Sequence, residues 1–127
     1  MALTIYHNQH LNSSSNAVAV ATEMGVDFTE VRYMKDFPDE QTLRDLIAKL
    51  VEPVENLVRK DAQFAKLGLN EDDYVGNADA VVEVLGKYHR LLQRPILVGD
   101  DKAIIGRPFE GVMAKTRVAE MVSSSTD

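Results

Sequence analysis

Four short apolar runs along the chain are typical of buried β-strands. They lie at residues 3–6, 28–33, 96–98 and 103–105. Gly99-Asp100-Asp101 separates the last two runs, so these two are expected to pair as a β-hairpin.

Between these runs, apolar residues recur three and four positions apart, the spacing that places side chains on one face of a helix. The first stripe follows the N-cap candidates at residues 12–15 and ends at Gly25, which predicts a β-α-β crossover with parallel strands. Pro53 is expected to open a short helix, and residues 59–77 to form turns. The stripes are Ala17, Val20, Ala21 and Met24; Leu43, Leu46, Ile47 and Leu50; and Ala78, Val81, Val82 and Leu85. Pro108 suits the first position of a last helix.

The order of these elements predicts an α/β chain with a thioredoxin-like fold, in which β-α-β and then β-β-α surround a four-stranded mixed sheet. An all-helical insert of about residues 38–90 separates the two halves. A single domain over residues 1–120 is expected, followed by a mobile polar tail at 121–127.

Composition narrows the classes of function. The net charge of −6 opposes binding to nucleic acid or to an anionic membrane, although a local basic pocket remains compatible with it. The chain has no cysteine, which excludes disulfides and catalysis by a thiol of its own. No apolar run approaches the roughly 20 residues that span a bilayer, and the first residues do not resemble a signal peptide, so a cytoplasmic location is expected. The three scattered histidines do not predict a metal site.

Four motifs carry a resemblance to a known family. They are "IYHN" at 5–8, "LVRKDAQFAKLGL" at 57–69, "LLQRPILV" at 91–98 and "IGRP" at 105–108. In this order and spacing the chain resembles the arsenate reductases that use glutathione and glutaredoxin, together with their sister group, the Spx regulators. The resemblance runs from Leu3 to about Thr116 and implies the thioredoxin-like fold with a helical insert. The "YHN" and "GRP" motifs resemble the reductases more than the regulators.

The loop after the first strand departs from the family pattern HNP-x-C-(S/G)-x-S-R-N. Here it reads "HNQHLNSSSN", with Leu11 at the position of the catalytic cysteine and Gln9 and Ser15 in place of a proline and an arginine. A leucine cannot act as a nucleophile, and a serine cannot take part in a sulfur redox cycle. His7 and Ser14 match the family and are therefore interpreted as vestigial.

The remaining loop residues have structural interpretations. Asn8 is expected to shape the loop and cap the first helix, and Asn12 belongs to the N-cap cluster. The resemblance implies that Pro95 follows a cis peptide bond facing the loop.

Three arginines match the positions with which the reductases hold arsenate, namely Arg59, Arg94 and Arg107. A guanidinium group donates two coplanar N–H bonds and so suits a tetrahedral oxyanion. The resemblance therefore implies an oxyanion-binding pocket for arsenate, phosphate or sulfate, with no metal and no bound cofactor.

These residues lead to a pseudoenzyme hypothesis: an arsenate reductase-family protein that lacks the cysteine and retains the pocket. The alternative is a reductase, which would depend on glutathione and glutaredoxin, or another oxidoreductase. A weaker alternative is an Spx-like transcriptional regulator. The physiological ligand and the protein partner stay open.

Overall fold

The fold is built on one mixed β-sheet. The computed structural model of the chain describes residues 3–8, 10, 12–105 and 111–123. Its strands are β1 (Thr4–His7), β2 (Thr29–Arg32), β3 (Ile96–Val98) and β4 (Ala103–Ile105), in the order β2-β1-β3-β4. β1 pairs with β2 in parallel and with β3 antiparallel, and β3 and β4 form the expected hairpin. The α/β class and the predicted four-stranded mixed sheet are confirmed.

Five α-helices accompany the sheet among the described residues. They are α1 (Asn12–Glu23), α2 (Glu40–Lys49), α3 (Ala62–Lys66), α4 (Ala78–Lys87) and α5 (Gly111–Ser123), with short 3₁₀ helices at Val54–Leu57, Glu71–Asp73 and His89–Leu91. α1 ends just before Gly25, whose φ of 71° is the left-handed conformation expected at a helix C-terminus. The Asp39, Asp61 and Asn77 side chains accept bonds from backbone N–H groups in the first turns of α2, α3 and α4.

Two boundaries differ from the sequence prediction. Residues 59–77 contain α3 as well as turns, because the Asp61 cap and the buried Phe64 stabilise one helical segment there. α5 continues to Ser123 and so extends past residue 120, where the domain was predicted to end. The cause is Met121, which is 1% exposed and packs in the core.

Alternation along the strands divides the interior into two cores, one on each face of the sheet. On one face, Ile5, Leu97 and Ile104 pack against Ala17, Val20 and Ala21 of α1 and Val118 and Met121 of α5. On the other face, Tyr6, Ile96 and Ile105 pack against the insert between β2 and β3, including Leu43, Leu46, Val81 and Leu85. The insert is therefore the cover of one sheet face.

The outer side of β4 is paired by the segment that follows α2. The Val51 N–H donates to the Ala103 carbonyl at 3.0 Å, and Leu50 and Ala103 form a parallel bridge. Two residues further along β4, the Ile105 N–H donates to the carboxylate of Glu52 at 3.2 and 3.3 Å. The outward-facing backbone groups of β4 are therefore hydrogen-bonded partly by the backbone of Val51 and partly by the side chain of Glu52.

None of the helices in the described part of the chain has both the length and the apolar character needed to cross a bilayer.

Replacing Leu97 by alanine is expected to lower the free energy of unfolding by about 2–5 kcal/mol, because this fully buried side chain packs between the sheet and the helices α1 and α5. Urea denaturation measures the change. Val75→Ala is the matched control, since Val75 is 61% exposed and its truncation should cost no more than about 0.5 kcal/mol. Equal losses in the two variants would contradict this assignment of the core.

Candidate functional site

The carboxyl end of the β1–β2 pair carries a buried histidine bound to a carboxylate. The parallel register places His7 opposite Arg32 and Ile5 opposite Glu30. The Glu30 carboxylate lies 2.5 Å from His7 Nε2 and accepts a hydrogen bond from Arg32 Nε at 3.0 Å. His7 is 3% exposed, and its Nδ1 has no hydrogen-bond partner among the residues that the structure describes. The ring is therefore fixed through Nε2.

Charge partners set the titration of Glu30. Hydrogen bonds from Arg32, and then from His7, hold the pKa of the Glu30 carboxyl below its ordinary value of 4.5. Burial opposes them and is the smaller effect. Glu30 is thus ionised at neutral pH and compensates positive charge near the end of β2.

A second group of side chains is positioned by two extended segments that pair across the insert. Val58 and Leu92 form an antiparallel bridge. The Arg59 N–H donates to the Leu91 carbonyl at 2.8 Å, and the Gln93 N–H donates to the Leu57 carbonyl at 2.7 Å. Arg59 and the neighbour of Gln93, Arg94, are thereby brought to the same side of the domain although 35 positions separate them in sequence.

Arg94 is the more buried of these two arginines. It is 7% exposed and precedes Pro95 across a cis peptide bond, the geometry that the family resemblance implies. The hydroxyl of Tyr33, directly after β2, donates to the Leu92 carbonyl at 3.4 Å and lies within hydrogen-bonding reach of the Arg94 and Asn8 side chains. Burial raises the pKa of the Tyr33 phenol, and the Arg94 and Arg59 charges oppose part of that rise. The phenol is therefore a neutral group beside Arg94.

Arg59 and Arg94 line a cleft of about 670 Å³, called the arginine cleft. The residues that line it are Asn8, His10, Met34, Arg59, Asp61, Gln63, Arg90 and Arg94. Arg59 Nη1 lies 3.3 Å from Asp61 Oδ2, and the two side chains are 23% and 32% exposed. Three guanidinium groups and one carboxylate leave the lining with an excess of positive charge, which favours an anionic ligand.

The structure places the sequence-predicted residues in three groups. Asn8, Arg59 and Arg94 line the arginine cleft. His7 lies beside it, on a smaller cavity of about 170 Å³ that Asn8 also lines. Asn12 and Ser14 belong to the first turn of α1, and their side chains are outside the description. Leu11 and Arg107, together with Gln9, lie outside the described residues.

Among the residues of this region that sequence reasoning did not single out are Arg90, Tyr33 and Glu30. Tyr33 and Glu30 had a usable signal, because β1 and β2 were predicted to be parallel and the carboxyl ends of parallel strands meet at one edge. Arg90 had no such signal. Its 3₁₀ helix, His89–Leu91, follows the amphipathic stripe of α4, and an arginine at such a position is typical of a solvent-facing side chain. The imidazole ring of the preceding residue, His89, stacks on the ring of Phe37 with the two centroids 3.9 Å apart.

The comparisons with known proteins point in one direction. The sequence model of the ArsC family matches residues 6–114. An arsenate reductase from Neisseria meningitidis is 31% identical over 114 residues, which cover 88% of this chain and 96% of the relative. An arsenate reductase from Escherichia coli is 31% identical over 112 residues, covering 87% and 78%.

Solved structures agree with these sequence matches. An arsenate reductase (ArsC) related protein from Brucella melitensis is 26% identical, with a TM-score of 0.67 over 93% of this chain and 95% of that one. The arsenate reductase of Vibrio cholerae shares the fold, with a TM-score of 0.74 at 24% identity over 95% and 98% of the two chains.

Replacing Glu30 by glutamine is expected to destabilise the protein at neutral pH and progressively less in acid. Because the folded-state pKa of Glu30 is lowered, its ionised form stabilises the fold above the unfolded value of 4.5, and this contribution is lost as the pH falls through the folded pKa. Urea denaturation from about pH 7 down to about pH 3 measures the free energy of unfolding. The difference in this free energy between wild type and Glu30→Gln should shrink below pH 4.5.

The control for this series is Glu83→Gln. It removes an exposed carboxylate that has no hydrogen bond or ion pair among the described residues, with the same change in net charge. If the free-energy difference between wild type and Glu30→Gln stays constant over the whole pH series, the role assigned to the ionised carboxylate is contradicted.

Proposed function

The chain belongs to the ArsC family, and we propose that it binds a small tetrahedral oxyanion without performing thiol-based reduction. Such a protein keeps the anion-holding part of a reductase scaffold and lacks the part that transfers electrons. The ligand class is arsenate, phosphate or sulfate.

One observation carries this proposal. Arg59 and Arg94, two of the three arginines that match the arsenate-holding positions of the reductases, line the same cleft. Arg107, the third, lies outside the described residues. Asn8, from the loop after β1, lines the cleft as well and adds a polar amide.

The surroundings of the two arginines favour anion binding. Arg94 is held in a buried position, where a guanidinium–oxyanion bond is screened less by water than at an exposed site. Its fork can donate two parallel bonds to one oxyanion. Arg59 is half-buried and lies 3.3 Å from Asp61. An anion that enters the cleft therefore competes with the Asp61 carboxylate for the guanidinium group of Arg59. The net preference is for a multiply charged oxyanion, which gains more from two guanidinium groups than a monoanion does.

The redox half of the family chemistry has no residue to carry it. Converting arsenate to arsenite requires two electrons, which in the resembled enzymes pass through the cysteine thiolate of the first loop. Position 11 is leucine, and the chain has no cysteine at any other position. His7, bound to Glu30, can exchange a proton but cannot supply electrons.

The reductase alternative is favoured by the names of two relatives, the arsenate reductases of Neisseria meningitidis and Escherichia coli. Whether electrons reach bound arsenate decides between the two, and that is measurable. The Spx-like alternative stays a prediction.

Incubation with arsenate, glutathione and glutaredoxin is expected to give no arsenite above the rate without the protein. An arsenate reductase that carries the cysteine is the positive control. Leu11→Cys should restore little activity, because Gln9 and Ser15 also depart from the family loop. Catalytic turnover by the unmodified protein would overturn the pseudoenzyme assignment.

Arg94→Gln is expected to weaken phosphate or arsenate binding at least about tenfold, because the buried fork supplies charge-assisted hydrogen bonds to the oxyanion. Arg94→Lys, which keeps the charge and loses the planar fork, should fall between wild type and Arg94→Gln. Isothermal titration calorimetry at low ionic strength measures the affinities, and circular dichroism verifies folding.

The matched control is Lys87→Gln, an exposed last-turn residue of α4 whose loss changes the net charge equally. Equal losses of affinity in Lys87→Gln and Arg94→Gln would mean that net charge alone attracts the anion, and would contradict a site at Arg94.

A further inference from the structure

We infer that the arginine cleft takes an organic phosphate carrying a second anionic group, with Arg90 contacting that second group. This inference rests on the proposed function, since it assumes that Arg94 and Arg59 hold the phosphate. It assigns a binding role to Arg90, which matches none of the arsenate-holding positions.

The size of the cleft argues for a ligand larger than a bare oxyanion. A tetrahedral oxyanion has five heavy atoms and fills on the order of 100 Å³, a few water volumes. The cleft measures about 670 Å³, within the range of sites that hold whole organic molecules. An oxyanion at Arg94 leaves most of that space for an attached group.

The charges of the cleft are spread from its buried wall to its rim. Arg94 is 7% exposed, Arg59 is 23% exposed, and Arg90 is an exposed residue. Asp61 already lies 3.3 Å from Arg59. In contrast, no carboxylate of the described residues lies within ion-pairing distance of Arg90. Arg90 is therefore a cation that an anionic group on the outer part of a ligand can approach without displacing a carboxylate.

The remaining lining suits a short organic linker between two anionic groups. Met34 is 39% exposed on the cleft, and its flexible thioether side chain packs against carbon atoms of varied shape. Asn8 and Gln63 offer neutral hydrogen-bonding groups on the same lining. A ligand with a phosphate at one end and a carboxylate or second phosphate at the other matches both the polar and the apolar parts.

Three phosphate compounds, each with one more chemical feature than the last, test this assignment. They are inorganic phosphate, ethyl phosphate, which adds only carbon, and 2-phosphoglycolate, which adds a carboxylate. Each is titrated by calorimetry at low ionic strength into wild type, Arg90→Gln, Arg94→Gln and the charge control Lys87→Gln. Phosphoglycolate is expected to bind wild type about 1.5- to fivefold more tightly than ethyl phosphate, the gain typical of one exposed ion pair. Arg90→Gln should abolish that difference and lower the affinity for inorganic phosphate no more than Lys87→Gln does.

The outcomes separate this inference from the proposal on which it rests. If inorganic phosphate fails to bind in an Arg94-dependent manner, the oxyanion-binding function itself is wrong. If phosphate binding depends on Arg94 but phosphoglycolate gains nothing over ethyl phosphate, or gains equally in Arg90→Gln, the role of Arg90 is wrong and the oxyanion function stands. Because Arg90 is exposed, its replacement is not expected to impair folding, and the thermal midpoint of the variant verifies this.

Discussion

Two backbone hydrogen bonds between residues 57–59 and 91–93 are the constraint on which the arginine cleft depends. They join the middle of the insert to the segment that leads into β3. They hold Arg59, in the insert, next to Arg94, in the segment before β3. Leu57, Val58, Leu91 and Leu92 are all almost fully buried, so apolar packing on both sides of the junction keeps water away from these hydrogen bonds. The insert is thus a structural part of the cleft as well as the cover of one core.

The parallel pairing of β1 with β2 supplies the other wall. It places His7 and Glu30 at the sheet edge and Tyr33 immediately beyond it, where the phenol reaches Arg94 and Asn8. Asn8 lines both the arginine cleft and the smaller cavity beside His7. A scaffold arranged in this way can attract and orient an anion through fixed charges, while electron transfer would require a separate chemical group. In this chain Arg59 and Arg94 line one cleft, and the sequence contains no cysteine.

Much of the fold was predictable because it depends on local periodicity. The strands at 96–98 and 103–105 follow directly from short apolar runs, and the stripes of α2 and α4 follow from helical spacing. The thioredoxin-like class and the family resemblance are confirmed. α3 was missed because its five residues are too few to show a stripe; a cap and one buried phenylalanine hold it. The predicted domain end at residue 120 fell short of the end of α5, because the apolar contacts of Met121 that hold the last turn come from other elements.

The candidate site was predictable only in part, and for a different reason. Arg59 and Arg94 came from family-matched positions, and the structure brings them to one cleft. Tyr33 and Arg90 join them through the ends of elements distant in sequence, which no local pattern encodes. The partner of His7 is set by strand register, since a shift of one residue would turn Glu30 to the other face of β2.

The cover on the outer side of β4 has a consequence for how molecules of this protein meet. A strand at the border of a sheet normally offers free N–H and C=O groups that a strand of another copy can extend, which is the first step of edge-to-edge aggregation. Here the Val51 N–H donates to the carbonyl of Ala103, and the Glu52 carboxylate accepts the hydrogen bond from the Ile105 N–H. A fully apolar border strand is thereby closed to intermolecular pairing, and at the opposite border the charged Glu30 and Arg32 discourage it. The sheet can stay at four strands without help from a partner subunit.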